Sequence, residues 1–234
     1  MDKCLIIARY NENLEWLKKY QDFKIIIYNK GQKLKKNRLF NIIDLENIGR
    51  ESHTWLYHIV KNYHDLNDIN IFLQGRIDDL NCMAYSDPNK YITNTNLYGF
   101  AASRYGLLGP LHWDWNVGVD KDIRYKKKWF NNEISRSKIG FRNFAKSLFP
   151  QIPLFVATSY SGCFAVTKEA ILQHDFSFYK DLLDILGKHK NPIEGHYMER
   201  LWCYIFTQNR LIKQAILDVP KTKIERVYTK LLKR

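Results

Sequence analysis

Several signals that would indicate a familiar function are missing from this chain of 234 residues. It contains neither G-x-G-x-x-G nor G-x-x-x-x-G-K-[ST], which disfavours a common dinucleotide site, most methyltransferases and the P-loop nucleotidases. No apolar run approaches the roughly 18 residues that a membrane span needs. Arg9 and Glu12 interrupt the first apolar run and no small-residue cleavage site follows, so no leader peptide is expected.

Paired cysteine spacing is also missing. The four cysteines are scattered through the chain, at Cys4, Cys82, Cys163 and Cys203. This pattern predicts reduced, partly buried thiols in a cytoplasmic protein, and it disfavours a zinc site.

Positive charge is abundant, with a formal net charge of +13. Such an excess suggests an anionic partner: a nucleic acid, a membrane surface or a phosphorylated small molecule. The basic residues are spread over residues 30–38, residues 124–128 and the C-terminus, as they also are on ordinary solvated surfaces. Charge alone therefore selects no partner, and no aromatic–basic pattern of a known nucleic-acid motif accompanies it.

Apolar runs and helical periodicities alternate along the first third of the chain. Strands are predicted at Leu5–Ala8, Lys24–Tyr28, Phe40–Leu45 and from Ile69 onward. Asn13 is expected to cap a helix after the first strand, and a second helical face runs through Gly49–Tyr63. This order predicts an α/β fold with a mostly parallel central sheet flanked by helices.

The stretch Ile69–Asp79 (INIFLQGRIDD) is the first candidate site. Its apolar run ends at Gln74-Gly75, and Arg76, Asp78 and Asp79 follow within four residues. Ligands of open α/β sheets bind beyond the carboxyl ends of the central strands, so these polar groups suit a binding rim. A tight turn capped by solvated acids has the same composition.

The second half of the chain is less regular before residue 160. Residues 81–160 suggest loops and short elements, with a helix predicted in Arg136–Phe149. The stretch His112–Trp115 is either a ligand-stacking patch or buried core. Order then returns with a strand at Ser161–Val166, Thr167 as a helix N-cap, and a helix at Phe178–Leu186.

The helix Gly195–Phe206 carries the second candidate site. Glu199 falls on the flank of its apolar face, so the carboxylate should lie where the helix meets the core. Desolvation there would raise its pKa, as suits a general base, whereas an ion pair with Arg200 is the structural alternative.

The last residues, Lys221–Arg234, segregate apolar and basic side chains on two sides of a helix. We therefore divide the chain into a domain of residues 1–220 and a basic amphipathic helix at 221–234. Such a helix lies on an anionic membrane or docks on its own domain.

Taken together, several segments resemble a broad family of bacterial, fungal and viral proteins known only as a domain of unknown function. These segments are IIARYNENLEWL, GRESHTWLYHIVKNYHDL, IFLQG, SGCFAVTKEAI, FYKDLL and MERLWCYIF. The layout also resembles that of GT-A nucleotide-sugar glycosyltransferases, in which a first strand ends in a turn with Asn-Glu. A later strand end carries an Asp-x-Asp metal motif, a glycine-containing strand borders the acceptor, and a helix beyond it supplies a carboxylate.

This resemblance implies a set of site residues. The catalytic base would be Glu199, with Asp114 and Glu194 as reserves. The nucleotide-sugar site would comprise Arg9, Asn11, Glu12, Arg50, Gln74, Gly75 and Arg76. The acceptor site would comprise Ser161, Gly162, His196 and Asp114.

The chain departs from the pattern at the metal motif, where Gln74-Gly75-Arg76 stands. Either Asp78 and Asp79 hold a divalent metal (Mn or Mg) from a shifted loop, or Arg76 and other cations neutralise the diphosphate directly. The paired carboxylates favour the metal.

The resulting expectation is an inverting glycosyltransferase that transfers sugar from a nucleotide-diphosphate sugar to a glycan or lipid-linked acceptor. It would serve surface polysaccharide or lipopolysaccharide synthesis, in the cytoplasm or on the inner face of the membrane. The alternative is a basic nucleic-acid-binding or membrane-associated protein without catalysis.

Overall fold

A computed structural model describes residues 1–35, 38–77, 85–113, 131, 133–135, 139–159 and 162–218. Its strands are β1 (Lys3–Arg9), β2 (Lys24–Asn29), β3 (Asn41–Asp44), β4 (Ile69–Gln74), β5 (Phe100–Ala101), β6 (Gly106–Leu108), β7 (Val156–Thr158) and β8 (Phe164–Thr167). Its α-helices are α1 (Arg50–Asn62), α2 (Asn89–Tyr98), α3 (Pro110–Trp113), α4 (Phe141–Leu148), α5 (Lys168–Ile171), α6 (Phe176–Leu186), α7 (Ile193–Thr207) and α8 (Ile212–Asp218). A 3₁₀ helix, Glu15–Lys19, follows β1.

The central sheet has six strands in the order β3-β2-β1-β4-β8-β5. The four strands β1 to β4 are mutually parallel, while β8 pairs antiparallel with both β4 and β5. A separate antiparallel pair joins β6 to β7. The fold is therefore α/β with a mostly parallel central sheet flanked by helices, as the alternation of strands and helices predicts.

Both faces of the sheet are buried. In β1, Cys4 and Ile6 enter one apolar cluster with residues of α1, α6 and α7, whereas Leu5 and Ile7 enter a second. The second cluster takes Leu17 from the 3₁₀ helix and residues of β2 and β4. Burial on both faces explains why these strands are continuous apolar runs, since successive side chains point to opposite faces.

The predicted elements differ from the observed ones mainly in extent. The helix expected after Asn13 is a 3₁₀ helix, although the Asn13 side chain does accept a bond from the Glu15 N–H at 2.8 Å. Thr167 caps α5 as expected, by accepting from the Ala170 N–H at 3.2 Å. The predicted strand at Ser161 begins only at Phe164, and helix α2 has no counterpart among the expectations.

Association with a membrane and the amphipathic helix at the C-terminus remain predictions. None of the helices in the described ranges is long and apolar enough to cross a bilayer. The basic segment Lys221–Arg234 lies outside the described residues.

Candidate active site

One edge of the sheet collects the ends of several strands. The carboxyl ends of β1, β2 and β4 lie there, and β8 enters the sheet at the same edge because it runs antiparallel to β4. The chain goes from β1 to β2 and β3 on one side and then returns to place β4 on the other side of β1. Such a reversal of strand order is where open α/β sheets bind ligands.

The turn after β1 is fixed by its own polar side chains. Glu12 accepts a hydrogen bond from the Tyr10 N–H at 2.7 Å, and Asn11 accepts one from the Gln32 N–H at 2.9 Å. The buried Arg9 guanidinium donates to the Glu12 carbonyl, to the Asn29 side chain and to the Gln32 carbonyl, at 2.7–3.0 Å. Arg9 and Asn11 thus tie this turn to the loop after β2.

The end of β4 packs directly on that turn. The Gly75 N–H donates to the Ala8 carbonyl at 2.8 Å, and the Trp16 indole donates to the Gly75 carbonyl at 2.9 Å. A Cβ on Gly75 would lie 2.7 Å from a Glu12 carboxylate oxygen, so glycine lets the Glu12 side chain pack closely against the end of β4. The predicted rim residues Glu12, Gln74 and Gly75 are therefore brought together, with Arg76 exposed beside them.

Gly162, two residues before β8, joins this rim. Its carbonyl accepts a hydrogen bond from the Trp55 indole at 2.9 Å, which links β8 to α1. A Cβ on Gly162 would lie 3.3 Å from the Gln74 amide nitrogen and 3.3 Å from a carboxylate oxygen of Glu51. Glu51 is thus a member of the site.

Sequence reasoning missed Glu51, although the signal was present. It lies in the first turn of α1, a helix that begins just after the carboxyl end of β3. Residues four apart share a helix face, so Glu51 and Trp55 both point toward Gly162. The clue in the sequence was an acidic residue in the first turn of a helix that begins at the ligand-binding edge of the sheet.

The start of α1 has unusual backbone geometry. Gly49 and Arg50 both have positive φ, at 61° and 52°, which for arginine costs about 1–2 kcal/mol. The buried Lys30 ammonium donates to the carbonyls of Ile48 and Arg50, both at 2.6 Å. Burial lowers the pKa of Lys30 to about 8, and the nearby Glu51 carboxylate opposes that shift. Lys30 therefore fastens the turn from which Arg50 and Glu51 project.

The two residues at the start of α1 differ in exposure. The Arg50 side chain is 40% exposed and the Glu51 side chain only 9%, and the Arg50 Nε lies 3.5 Å from a Glu51 carboxylate oxygen. This arrangement leaves a cation facing solvent beside a largely buried carboxylate.

Helix α7 brings a second carboxylate, that of Glu199, within electrostatic reach of Glu51. Glu199 has a half-buried side chain, 24% exposed, at the boundary between core and solvent, as its helical position predicts. Its carboxylate lies 3.8 Å from the His196 Nδ1, and Arg200 donates to the His196 carbonyl at 2.6 Å. Gly195 has no atom within 4 Å of an added Cβ, so no close approach requires glycine there.

The electrostatics of Glu199 differ from the expectation. Burial raises its pKa, but the neighbouring His196 and the charges of Arg50 and Arg200 outweigh burial, so the net shift is downward. The expected raised pKa was therefore wrong for Glu199. It is found on Glu51 instead, where burial raises the pKa and the like charge of Glu199 raises it further, against Arg50 and His196.

Other predicted site residues cannot be placed. Asp78, Asp79, Asp114 and Ser161 lie outside the described residues. Within the described part of the chain, no group of three or more His, Cys, Asp or Glu side chains is arranged to hold a metal. A metal site at Asp78 and Asp79 therefore remains a prediction.

The described half of the His112–Trp115 stretch belongs to the core. Trp113 is buried, donates its indole N–H to the Leu154 carbonyl at 3.3 Å and stacks on Phe141 with ring centroids 5.4 Å apart. The His112 Nδ1 accepts from the Gly109 N–H at 3.1 Å. These contacts favour a structural role for this pair.

Comparison with known proteins gives one match. A family model described as a protein of unknown function (DUF3431) matches residues 5–218, nearly the whole chain. No curated protein and no solved structure matches. The chain belongs to this family, as the resemblance of its segments predicts.

Proposed function

We propose that this member of a family of unknown function is a glycosyltransferase with a GT-A-like sheet. It would transfer a sugar from a nucleotide-diphosphate sugar to a hydroxyl of a glycan or glycolipid acceptor, with inversion. The observation that carries the proposal is the convergence of Glu51, Glu199 and Arg50 beside a glycine-lined rim where the strand order reverses. Two carboxylates with adjacent cations at such an edge suit proton removal next to a departing anion.

The donor would lie over the rim formed by the β1 turn and the end of β4. Tyr10 is 50% exposed and Arg76 is exposed, so an aromatic side chain and an arginine reach the surface at the ends of these strands. Guanidinium geometry matches phosphate oxygens, which supports a diphosphate there. The internal bonds of Arg9 and Asn11 would keep this rim rigid rather than contact the donor through those atoms.

The leaving diphosphate needs positive charge. Arg50 and Arg76 supply it directly, and a divalent Mn or Mg ion held by Asp78 and Asp79 would add to it. The acceptor would approach from the side of Gly162 and His196, where the carboxylate pair lies. A lipid-linked precursor of a surface polysaccharide or lipopolysaccharide would suit a basic tail on the inner membrane face.

Ligand binding and turnover test the proposal directly. Thermal stabilisation should be measured across nucleoside diphosphates and nucleotide sugars, with manganese and with chelator, against single-stranded and duplex oligonucleotides. We expect stabilisation by one class of nucleotide and slow hydrolysis of one nucleotide sugar. Stabilisation by oligonucleotides alone would contradict the proposal and favour a nucleic-acid-binding protein.

Two variants sharpen this experiment. Arg50→Ala should weaken binding of the stabilising nucleotide about tenfold or more, because a charge-assisted contact is lost. Arg142→Ala, which removes an exposed arginine from α4, should leave that affinity unchanged. Equal affinities in the two variants would exclude Arg50 from the donor site.

Full activity of the unmodified protein in chelator would show that arginines alone carry the leaving-group charge.

A further inference from the structure

Lys30 bridges two carbonyl groups at the start of α1. It directly follows β2, and only 9% of the residue is exposed. Its Nζ donates to the carbonyl oxygens of Ile48 and Arg50, both at 2.6 Å. These two carbonyls lie immediately before Gly49 and immediately after the backbone dihedrals of Arg50. Because peptide groups are planar, holding both of them restricts the dihedrals between them, and those are the two residues with positive φ.

The backbone of Lys30 is fixed to the turn after β1. Its N–H donates to the Arg9 carbonyl at 2.8 Å. A Cβ on the next residue, Gly31, would fall 1.3 Å from the Tyr10 carbonyl oxygen, so only glycine fits there. The side chain of Lys30 thus starts beside the turn proposed to hold the donor and ends at the start of α1. It joins two parts of the proposed site.

The buried ammonium is engaged by α1. Removing a charged group from water is unfavourable unless its protons are bonded, and here two of the three go to backbone carbonyls. The charge also interacts with Glu51 and His53, both on α1. These contacts favour an action of Lys30 through the backbone of α1 over a direct contact with a bound diphosphate.

We propose that Lys30 is a positioning residue that holds Arg50 where its guanidinium can bind the donor diphosphate. This inference rests on the proposed function, in which Arg50 contacts the donor. The ammonium keeps the peptide groups before Gly49 and after Arg50 in the orientations that the left-handed backbone requires. Without it, the backbone of Arg50 relaxes toward an ordinary conformation, and the guanidinium leaves its place beside Glu51.

A double-mutant cycle on donor affinity tests this action. The probe is the nucleoside diphosphate that most stabilises the wild-type protein, and its affinity is measured for wild type, Lys30→Met, Arg50→Ala and the double variant. Lys30→Met should weaken binding about tenfold when Arg50 is present, because a charge-assisted contact is misplaced. In the Arg50→Ala background the same change should matter less than about twofold.

Lys24→Met is the matched control, since it removes an exposed lysine from the other end of β2 and should change neither affinity. A loss of the same factor on Lys30→Met in both backgrounds would mean that Lys30 acts independently of Arg50. That result, or no loss in either background, would overturn the inference.

A second measurement needs no ligand. Arg50→Gly should have a higher denaturation midpoint than Arg50→Ala, because glycine adopts the left-handed conformation without strain. In the Lys30→Met background this advantage of glycine should disappear, because the turn is free to relax. An advantage of the same size in both backgrounds, or none in either, would overturn the inference. If Lys30→Met does not fold, Lys30→Gln replaces it, since its amide is too short to bridge both carbonyls.

The two measurements separate this inference from the proposed function. If a nucleotide sugar binds and is hydrolysed but the advantage of glycine does not depend on Lys30, the inference alone fails. If no nucleoside diphosphate or nucleotide sugar binds, the proposed function fails, and the donor role of Lys30 fails with it even where the midpoints show that it holds the turn.

Discussion

Gly162 is a residue at which a single added methyl group would alter the geometry of the candidate site. Its φ is not positive, so alanine is compatible with the backbone. The added Cβ would lie 3.1 Å from the Glu51 Cγ and 3.3 Å from the Gln74 amide nitrogen, tighter than ordinary van der Waals contact. The carboxylate of Glu51 would therefore have to shift by a few tenths of an ångström.

We expect Gly162→Ala to impair catalysis more than folding. A shift of a catalytic group can lower the rate up to about 10²-fold, whereas overpacking costs about 1–3 kcal/mol of stability. The turnover number and the denaturation midpoint measure the two effects. Gly195→Ala is the control, because its Cβ meets open space and helical alanine adds about 0.5–1 kcal/mol of stability over glycine. A Gly162→Ala protein with normal turnover would show that the exact position of the Glu51 carboxylate is not needed for catalysis.

At the scale of single residues, the local sequence pattern predicted the half-buried position of Glu199 correctly. It did not predict that Glu51 would lie near it. The flank of an amphipathic helix is a local property, and the half-buried position of Glu199 is confirmed. Its encounter with Glu51, 148 positions earlier in the chain, depends on the packing of α1 against α7. The direction of the Glu199 pKa shift also depends on His196, Arg50 and Arg200 from two helices, and for this reason the expectation from burial alone was wrong.

At the scale of elements, strongly patterned segments were predictable. Strands β1, β2 and β4 are continuous apolar runs, and α1 and α7 have clear helical faces, so their existence follows from the sequence. Helix α2 (NKYITNTNLY) was not expected because it offers only a few scattered apolar residues and several poor helix formers. It buries Tyr91 and Thr95 and contacts β5 and β8, so tertiary contacts accompany its formation.

The beginning of α1 combines backbone strain with residues of the proposed site. Arg50 adopts a left-handed conformation that glycine tolerates without cost, and such strain is often retained at functional sites. We expect Arg50→Gly to be about 1 kcal/mol more stable than Arg50→Ala in chemical denaturation, since both remove the guanidinium but only glycine relieves the backbone. Both variants should lose donor affinity equally. Equal stabilities would show that the turn relaxes when Arg50 is replaced.

At the scale of the whole molecule, the mostly parallel sheet was predictable but its strand order was not. Alternation of strands and helices implies parallel neighbours, which β1 to β4 confirm. The antiparallel entry of β8 between β4 and β5 joins segments about 90 residues apart, and no local pattern encodes such a pairing. That pairing nevertheless completes the site, because it brings Gly162 opposite Gln74.

Stability of the whole domain should depend on pH through a buried histidine. His58 lies on the buried face of α1, where its Nδ1 shares a hydrogen bond of 3.0 Å with the hydroxyl of Tyr28 on β2. Burial lowers its pKa from 6.5 to about 3. Between these two values the unfolded chain binds a proton that the folded protein does not, so stability is fully present above pH 6.5 and falls as the pH drops toward 3.

Urea denaturation between pH 4 and 8 measures this dependence. His58 should contribute a slope of up to about 1.4 kcal/mol per pH unit below pH 6.5, which His58→Gln should remove together with some of the stability at neutral pH. His64→Gln, which changes an exposed histidine two residues beyond the end of α1, should keep the wild-type slope. Burial also lowers the pKa of His53, to about 4, so part of the acid sensitivity should survive in His58→Gln. Identical slopes in the wild-type and His58→Gln proteins would mean that protonated His58 is tolerated in the folded core.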